Sequence, residues 1–426
     1  MECSTTVIDA TTFLSTPRRV LLLAVLLCVG GGFTLAADPV KQREFQPMNP
    51  TVMAQGGSSR VTATGYAGLF QNPAGLGFTP EPELVLPSYT VWVHSRPDLL
   101  LSTIGAFSAD ETETEDEDDN PILTSLRDQF TTNGFGLGTS LGLGWAGNGL
   151  GFGMNLGLDS FLYGETFPLG LEGEINAQFS FAIGYAQPFD LGPVQLSVGG
   201  ALRPTLRITS FVTSETAANL ISTFLGVDTG GDEEDQPELL DTLRALNGWG
   251  VAFDAGLMAR WRPVTVGVQA RNLLNTNMRY SSNTMNEILD ALSSGGLPGT
   301  ASEDLTRDYI TPLEVSFGAA WDPDLGAIGS IVDPRIHFEI RDAFLTTDQD
   351  RERPRSYWTR LHMGTELRLL SFFDLRLGIN QGYVTTGFGV NLGVLRVNYA
   401  IYRQEFGRYP GDRPVGGSAL EFALQY

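Results

Sequence analysis

Apolar and polar residues alternate one by one over much of the chain after residue 83. Trp249 and Trp261, for example, share one apolar face, and Asp254 and Arg260 lie on the opposite face. An alternation with a period of two is typical of a β-strand with one apolar side. About fourteen segments follow this pattern, and an even number is typical of bacterial barrels. They are 84–94, 134–145, 149–159, 173–187, 194–206, 249–262, 264–274, 313–322, 334–342, 357–370, 374–381, 383–391, 394–403 and 418–426.

The connections between these segments alternate in length. Counted back from Tyr426, every second connection is short, and the three longest, 95–132, 207–247 and 275–312, all belong to the other set. Long external loops and short periplasmic turns are the rule in transmembrane β-barrels. The pattern therefore predicts an all-β fold, a transmembrane antiparallel β-barrel of about 14 strands, over 84–426. Within the loops, helices are predicted at 214–226, 236–247 and 284–293.

The C-terminal segment belongs to the same pattern. Phe422, Leu424 and Tyr426 share its apolar face, and the residues between them are Ala423 and Gln425. In a closed barrel this face meets lipid. A strand that ends on an aromatic residue also resembles the signal that bacterial barrel assembly machinery recognises. We therefore expect these three residues to act as an assembly signal.

The N-terminal region predicts export. Arg18 and Arg19 precede the apolar run 20–29, which is too short to span a bilayer as a helix, and small residues follow up to Ala36 and Ala37. Residues 1–37 are therefore predicted to be a signal peptide. Both cysteines of the chain precede residue 38, so the predicted mature protein has no disulfide framework and no thiolate metal site.

Composition and charge agree with an exported barrel. The chain has 50 glycines and 25 phenylalanines, and its formal net charge is -22. Nucleic acids require a basic surface, so this balance argues against a nucleic-acid partner. The acidic runs 110–119 and 232–235 lie in predicted external loops, where solvated carboxylates are expected. Divalent-cation binding is the alternative for these loops, although no calcium-loop spacing supports it.

Residues 38–83 lack the alternation and predict a plug, or hatch, inside the lumen. Gly65–Phe70 predicts a short helix, and the Asn-Pro pair that follows predicts a turn. The motif consists of Asn72, Pro73, Ala74, Gly75 and Leu76. Because small residues dominate, we expect this segment to pack against the glycine faces of 134–144 and 149–157.

The early Met-x-x-Gly-Gly at 53–57, the short helix, the Asn72–Leu76 motif and the barrel length resemble the long-chain fatty acid transporter (FadL-type) family. The resemblance implies a 14-stranded barrel with an N-terminal hatch. It implies an outer-membrane location and passive uptake of hydrophobic compounds such as long-chain fatty acids, without a cofactor or enzymatic step. The implied partners are a hydrophobic small-molecule ligand and outer-membrane lipid.

A second interpretation comes from another class of function. The same superfamily includes secretion shuttle proteins, so the chain could be a structural or secretion-partner barrel that binds protein rather than small molecules. The acidic loops favour this alternative slightly. The apolar external patch that first captures the substrate in fatty acid transporters is not recognisable in this sequence.

The sequence predicts no catalytic or metal site. Gly138-Thr-Ser-Leu-Gly142 matches a hydrolase nucleophile pattern, but that chemistry requires a strand-to-helix turn, and this match lies inside an alternating strand. The three histidines, His94, His337 and His362, are widely separated, and inward-facing polar residues are normal in barrels.

Charged residues on the last strands are predicted to face the lumen. They are Arg335, Glu339, Arg341, Glu366, Arg368, Arg376 and Arg396. Such a charged ladder braces a lumen or holds a plug. The alternative is that some of the arginines guide an anionic head group through the channel.

Overall fold

The computed structural model describes residues 40–41, 44–108, 121–167, 170–214, 216–217, 243–296, 306–344 and 355–426. The predicted signal peptide, both acidic runs and most of the predicted helix 214–226 lie outside these residues.

Within the described residues, seventeen strands form one sheet, in which every pairing is antiparallel except that of the short first strand. The strands are β1 Val40–Lys41, β2 Glu83–His94, β3 Gly136–Gly147, β4 Leu150–Gly164, β5 Leu171–Leu191, β6 Val194–Val212, β7 Arg244–Trp261, β8 Val264–Arg271, β9 Thr276–Thr284, β10 Thr306–Thr311, β11 Glu314–Trp321, β12 Val332–Ile340, β13 Leu361–Leu369, β14 Phe373–Asn380, β15 Tyr383–Leu392, β16 Leu395–Glu405 and β17 Pro414–Gln425.

The sheet closes on itself into a barrel. β17 pairs with β2, while β8 pairs with β11 near one end and β9 pairs with β10 near the other. β8 and β9 form one strand interrupted at 272–275, and β10 and β11 form another interrupted at 312–313. When β1 is set aside and each interrupted strand counts once, the barrel has fourteen strands. The predicted fold class and strand number are confirmed.

The alternation places apolar side chains on the outside of the barrel. Trp249, Leu257 and Trp261 are exposed, whereas Asp254 is buried on the inner side of the same strand. A closed barrel with an apolar outer surface and aromatic residues towards its rims is a transmembrane barrel of the outer-membrane type.

The two ends of the barrel differ as predicted, with short turns at one and long connections at the other. In the described parts of the long connections there are three helices, α3 Pro97–Ser108, α4 Pro121–Thr132 and α5 Met285–Ser293. α5 was predicted, and the Thr284 and Glu287 side chains form a capping box at its start. No helix among the described residues is long and apolar enough to cross a membrane.

Three sequence predictions for the long-loop end are wrong in part. Residues 244–247 belong to β7 rather than to a helix, because they pair with β9. The connection 275–312 contains β9 and β10. These two strands are rich in polar residues and lack the apolar outward face that the alternation detects. The first residues of the predicted strand 357–370 form a 3-10 helix, Tyr357–Arg360.

The N-terminal segment 44–79, called the inner segment below, contacts the inward faces of the strands. It contains α1 Pro50–Ala54, α2 Gly65–Gln71 and a 3-10 helix, Pro73–Phe78. Asparagine side chains start the first and third of these elements, since Asn49 Oδ1 accepts from Val52 N at 3.1 Å and Asn72 Oδ1 accepts from Ala74 N at 3.1 Å. α2 confirms the predicted helix.

Candidate functional site in the barrel lumen

The Asn72–Leu76 motif is buried and lies against β5, β6, β7 and β8. All five of its residues are buried. Ser197 Oγ donates to Ala74 O at 2.6 Å, and Asn72 Nδ2 donates to Val268 O at 3.4 Å. A side chain at Gly199 would collide with Pro73 and Ala74. Glycine is therefore required at this position in the wall for the turn to approach the strands.

The glycine faces of 134–144 and 149–157 receive a different part of the inner segment. The ring of Tyr66 fills the space beside Gly142, Gly144 and Gly153, and Tyr66 Oη donates to Met154 O at 2.9 Å. Residues of the inner segment therefore do lie against these glycine faces, and Leu76 of the motif meets Gly151. The group beside Gly142, Gly144 and Gly153 is an aromatic ring rather than a small residue.

The other side of the lumen holds residues 55–61 through polar contacts. The Ser58 hydroxyl donates to the Glu339 carboxylate, and Val61 N donates to Glu339 Oε1 at 3.2 Å. Gln55 Nε2 donates to Glu366 Oε2 at 2.7 Å. These contacts fix the backbone that follows α1.

Two histidines hold the same part of the segment. His337 Nε2 lies 3.1 Å from Gln55 O, and His362 Nδ1 lies 2.7 Å from Gly56 O. Because both acceptors are carbonyl oxygens, each of these ring nitrogens carries the proton and donates it. The described residues contain no group of three His, Cys, Asp or Glu side chains that could hold a metal ion.

The structure places the seven predicted charged residues on the inner side of the barrel. Glu339 and Glu366 contact the inner segment directly. Arg376 Nε lies 2.7 Å from Glu366 Oε2, and Arg376 Nη2 lies 2.8 Å from Asp374 Oδ2. Arg368 Nε lies 3.0 Å from Asp374 Oδ1. The remaining three, Arg335, Arg341 and Arg396, line lumen cavities.

Sequence reasoning missed a second charged cluster, which lies at the interruption in the barrel wall. Arg271 Nε lies 2.5 Å from Glu44 Oε2, and Arg203 Nε lies 2.9 Å from Asp254 Oδ2. Arg203 also pairs with Glu44, and the Asn272 side chain donates to the same carboxylate. These partners come from distant parts of the sequence, so no local pattern indicates the cluster.

Glu44 is ionised in this cluster. Burial alone would raise the pKa of its carboxyl, but the guanidinium groups of Arg203 and Arg271 outweigh burial and hold the pKa well below its usual range. The start of the inner segment is therefore attached to the wall by a buried charge network.

Described residues line two cavities in the part of the lumen beside the inner segment. The outer cavity, towards the long loops, has a volume of about 1220 Å³. The inner cavity has a volume of about 560 Å³ and extends to the short-turn end. Residues 45–49 line both cavities, so this stretch, called the divider below, stands between them.

The predicted assembly residues lie on the outer surface at the closure of the barrel. Phe422 and Tyr426 are exposed, and the backbone of Tyr426 exchanges two 2.9 Å hydrogen bonds with Leu84. Recognition of these residues by assembly machinery stays a prediction. Ser140, in the hydrolase-like pattern, is buried within β3 and does not lie on a strand-to-helix turn.

No family model matches the chain, and no curated protein does. Among solved structures it is similar to the monoaromatic hydrocarbon channel CymD, with 12% identity over 89% of this chain and 96% of that chain and a TM-score of 0.46. It is also similar to the P. putida toluene transporter TodX, with 14% identity over 90% of this chain and 98% of that chain and a TM-score of 0.42.

A Pseudomonas aeruginosa FadL homologue gives 10% identity over 90% of this chain and 98% of that chain, with a TM-score of 0.42. The class that the fold itself defines is an outer-membrane β-barrel whose lumen contains its own N-terminal segment.

Proposed function

We propose that this chain is a passive outer-membrane channel for hydrophobic compounds, such as long-chain fatty acids or aromatic hydrocarbons. The observation that carries the proposal is the divider, residues 45–49, between two lumen cavities. A compound enters the outer cavity, passes the divider when residues 45–49 move, and continues into the space on the other side of the divider. No covalent step is required.

The composition of the divider supports an apolar cargo. Phe45 and Met48 pack against a buried cluster formed by Trp92, Tyr402 and Ala419 on the wall. A compound that passes between the divider and the wall replaces these apolar contacts with its own surface, which costs little free energy for an apolar molecule. A hydrated ion at the same position would lose its water without compensation.

The interruption in the wall supports a sideways exit. At 272–275 the strand leaves its ladder, and Leu273 and Leu274 are exposed on the outer surface. The Glu44 network lies at the same place, one residue before the divider. We infer that movement of the divider and opening of the wall are linked, so that cargo leaves into the membrane rather than into water.

The first test compares uptake of labelled palmitate and labelled toluene by cells with and without the protein. We expect faster uptake of at least one compound when the protein is present, and little ion conductance by the purified protein. Equal uptake, together with a stoichiometric protein partner in the purified sample, would favour the secretion-partner interpretation. Large, steady single-channel currents would show that the lumen is open.

A reversible cross-link tests the divider directly. A Cβ at Gly157, on β4, would lie 3.1 Å from Pro47 Cβ, a few tenths of an ångström less than the spacing in a disulfide. The variant P47C/G157C is therefore expected to stop uptake when oxidised and to regain it after reduction. The single variants P47C and G157C are the controls. Undiminished uptake by the oxidised double variant would show that the divider does not need to move.

A further inference from the structure

Two arginines at the long-loop end lie outside the lumen. Arg403 is on β16, and Arg408 is in the connection that follows that strand. Arg403 is exposed, whereas its neighbour Tyr402 is buried on the inner side, so the alternation directs Arg403 towards the outer surface. Arg408 is exposed as well, and neither arginine lines the outer or the inner cavity. Both guanidinium groups are therefore available to a partner outside the lumen.

The position of Arg403 along its strand places it near the outer boundary of the membrane. It follows Leu395, at the short-turn end of β16, by eight residues. With a rise of ~3.4 Å per residue and a tilt of ~40°, the two residues are separated by about 20 Å along the barrel axis. The apolar band of an outer-membrane barrel is about 25 Å tall. The long side chain of arginine spans the remaining distance, so the guanidinium reaches the level of the outer head groups.

The charges of the two arginines are not neutralised by an ion pair. Among the described residues, neither Arg403 nor Arg408 pairs with a carboxylate. The guanidinium of Arg403 lies over the ring of Tyr383, 4.9 Å from its centroid, and this contact leaves the N–H groups of the guanidinium free to donate. Asp412 is occupied by the backbone, since its Oδ2 accepts from Arg408 N at 3.1 Å and from Tyr409 N at 2.8 Å.

The connection that carries Arg408 has a fixed shape. Glu405 is buried and accepts from the backbone N–H groups of Gly407 at 2.7 Å and Arg413 at 2.6 Å. The same connection is joined to the one before β13, because Ser356 N donates to Arg408 O at 2.9 Å. Binding at this surface therefore costs little ordering of the backbone.

Apolar side chains continue from Arg403 along the outer surface towards the middle of the membrane. Val384, on the neighbouring strand β15, is 70% exposed. Ile401 lies on the same face of β16 as Arg403, and beyond it the rings of Phe388 and Tyr399 are 5.6 Å apart. This surface is continuous with the lipid-facing wall and is suited to acyl chains.

A phosphate head group with several acyl chains matches these features. A guanidinium donates two parallel hydrogen bonds to the oxygens of one phosphate. Lipopolysaccharide, the lipid of the outer leaflet, combines phosphates with acyl chains at the level that Arg403 reaches. A zwitterionic phospholipid brings its own cation to the phosphate and gains less from the two arginines.

We propose that Arg403 and Arg408 form a docking site for lipopolysaccharide on the outer rim of the barrel. A phosphate of its lipid A part lies against the two guanidinium groups, and the acyl chains follow Val384, Ile401 and Phe388 towards the middle of the membrane. The site is outside the lumen and does not depend on the proposed channel activity.

The test is binding of lipid A to the purified full-length protein in detergent. EDTA is present, so that no divalent cation links the lipid phosphates to the acidic loops. R403Q/R408Q should lose about 10- to 100-fold in affinity, as expected for hydrogen bonds between charged groups. R403K/R408K, which keeps the charge without the paired N–H groups, should lie between. R262Q is the matched control and should bind as wild type does, because Arg262 is exposed in a turn at the opposite end.

A comparison of ligands on wild type avoids dependence on the folding of the variants. Lipid A should bind more tightly than its dephosphorylated form and more tightly than phosphatidylglycerol, and it should slow hydrogen–deuterium exchange of 406–412 but not of 261–264. Equal affinity for the dephosphorylated form would show that the arginines bind no phosphate, and equal affinity for phosphatidylglycerol would show a site for any anionic lipid. Either result, or wild-type affinity in R403Q/R408Q, would overturn the lipopolysaccharide site.

Discussion

The two parts of the inner segment are held to the wall in different ways. Residues 66–77 fit into space left by glycines, as at Gly199 and Gly142, and make few polar contacts with side chains of the wall. Residues 55–61 are held by hydrogen bonds to glutamates and histidines on β12 and β13.

The difference matters because the two kinds of contact respond differently to change. Packing contacts are spread over many atoms, whereas one buried carboxylate can accept several hydrogen bonds that are all lost when it is replaced. A single substitution in the wall is therefore expected to release the polar part more readily than the glycine-lined part.

The largest effect is expected at Glu339. Replacing it by alanine removes the acceptor for both Ser58 and Val61. Each buried donor left unsatisfied costs about 1–3 kcal/mol, so loss of both should destabilise the segment by about 2–6 kcal/mol. Hydrogen–deuterium exchange of 55–62 should rise steeply, while exchange of 66–77 stays close to wild type.

The control for this change is Glu339→Gln, which keeps one acceptor oxygen and should give a smaller increase. Equal acceleration of exchange in both parts would show that the inner segment is released as one unit, and the distinction between the two parts would be lost.

An intermediate effect is expected from Gly199→Val. The added side chain meets Pro73 and Ala74, and overpacking of this kind costs about 1–3 kcal/mol. Gly200→Val is the matched control, since a Cβ there would have only Asp254 O nearby, at 3.8 Å, on the exposed face. Thermal unfolding and exchange of 72–77 should change for the first variant alone. Similar behaviour of the two variants would contradict the close packing of the motif.

The sequence predicts the features that depend on neighbouring residues and misses those that depend on contacts between distant strands. Strand alternation is local, so Trp249 and Trp261 were placed on the outer face correctly. The strand interruption at 272–275 was missed, because it depends on pairing with β7 and β11 rather than on local pattern. The motif Asn72–Leu76 was recognised as a turn, but its contact surface depends on barrel closure.

The charged residues of the lumen were likewise predicted only where a local alternation indicates their direction. Glu339 and Glu366 were predicted to face the lumen from alternation alone, and they do. Glu44 gave no signal, because it lies outside any alternating segment and its partners Arg203 and Arg271 come from distant strands.

The smallest effect near neutral pH is expected from the charge network at the start of the segment. Because the pKa of Glu44 is held below its usual value of 4.5, its ionised form stabilises attachment fully above that pH. The contribution is lost as the pH falls below 4.5 and approaches the depressed pKa. Between pH 8 and pH 5 the exchange of 44–49, after correction for the intrinsic rate, should therefore stay constant.

Below pH 4.5 that exchange should rise before 66–77 is affected, because Arg271, which donates to Phe70 O at 2.6 Å, stays charged at acid pH. Glu44→Gln should remove the dependence of this exchange on pH below 4.5, since no proton can then be taken up at this position. A rise already at pH 6 would show that another group controls attachment, and a simultaneous rise in 66–77 would show that residues 44–49 and 66–77 are not released independently.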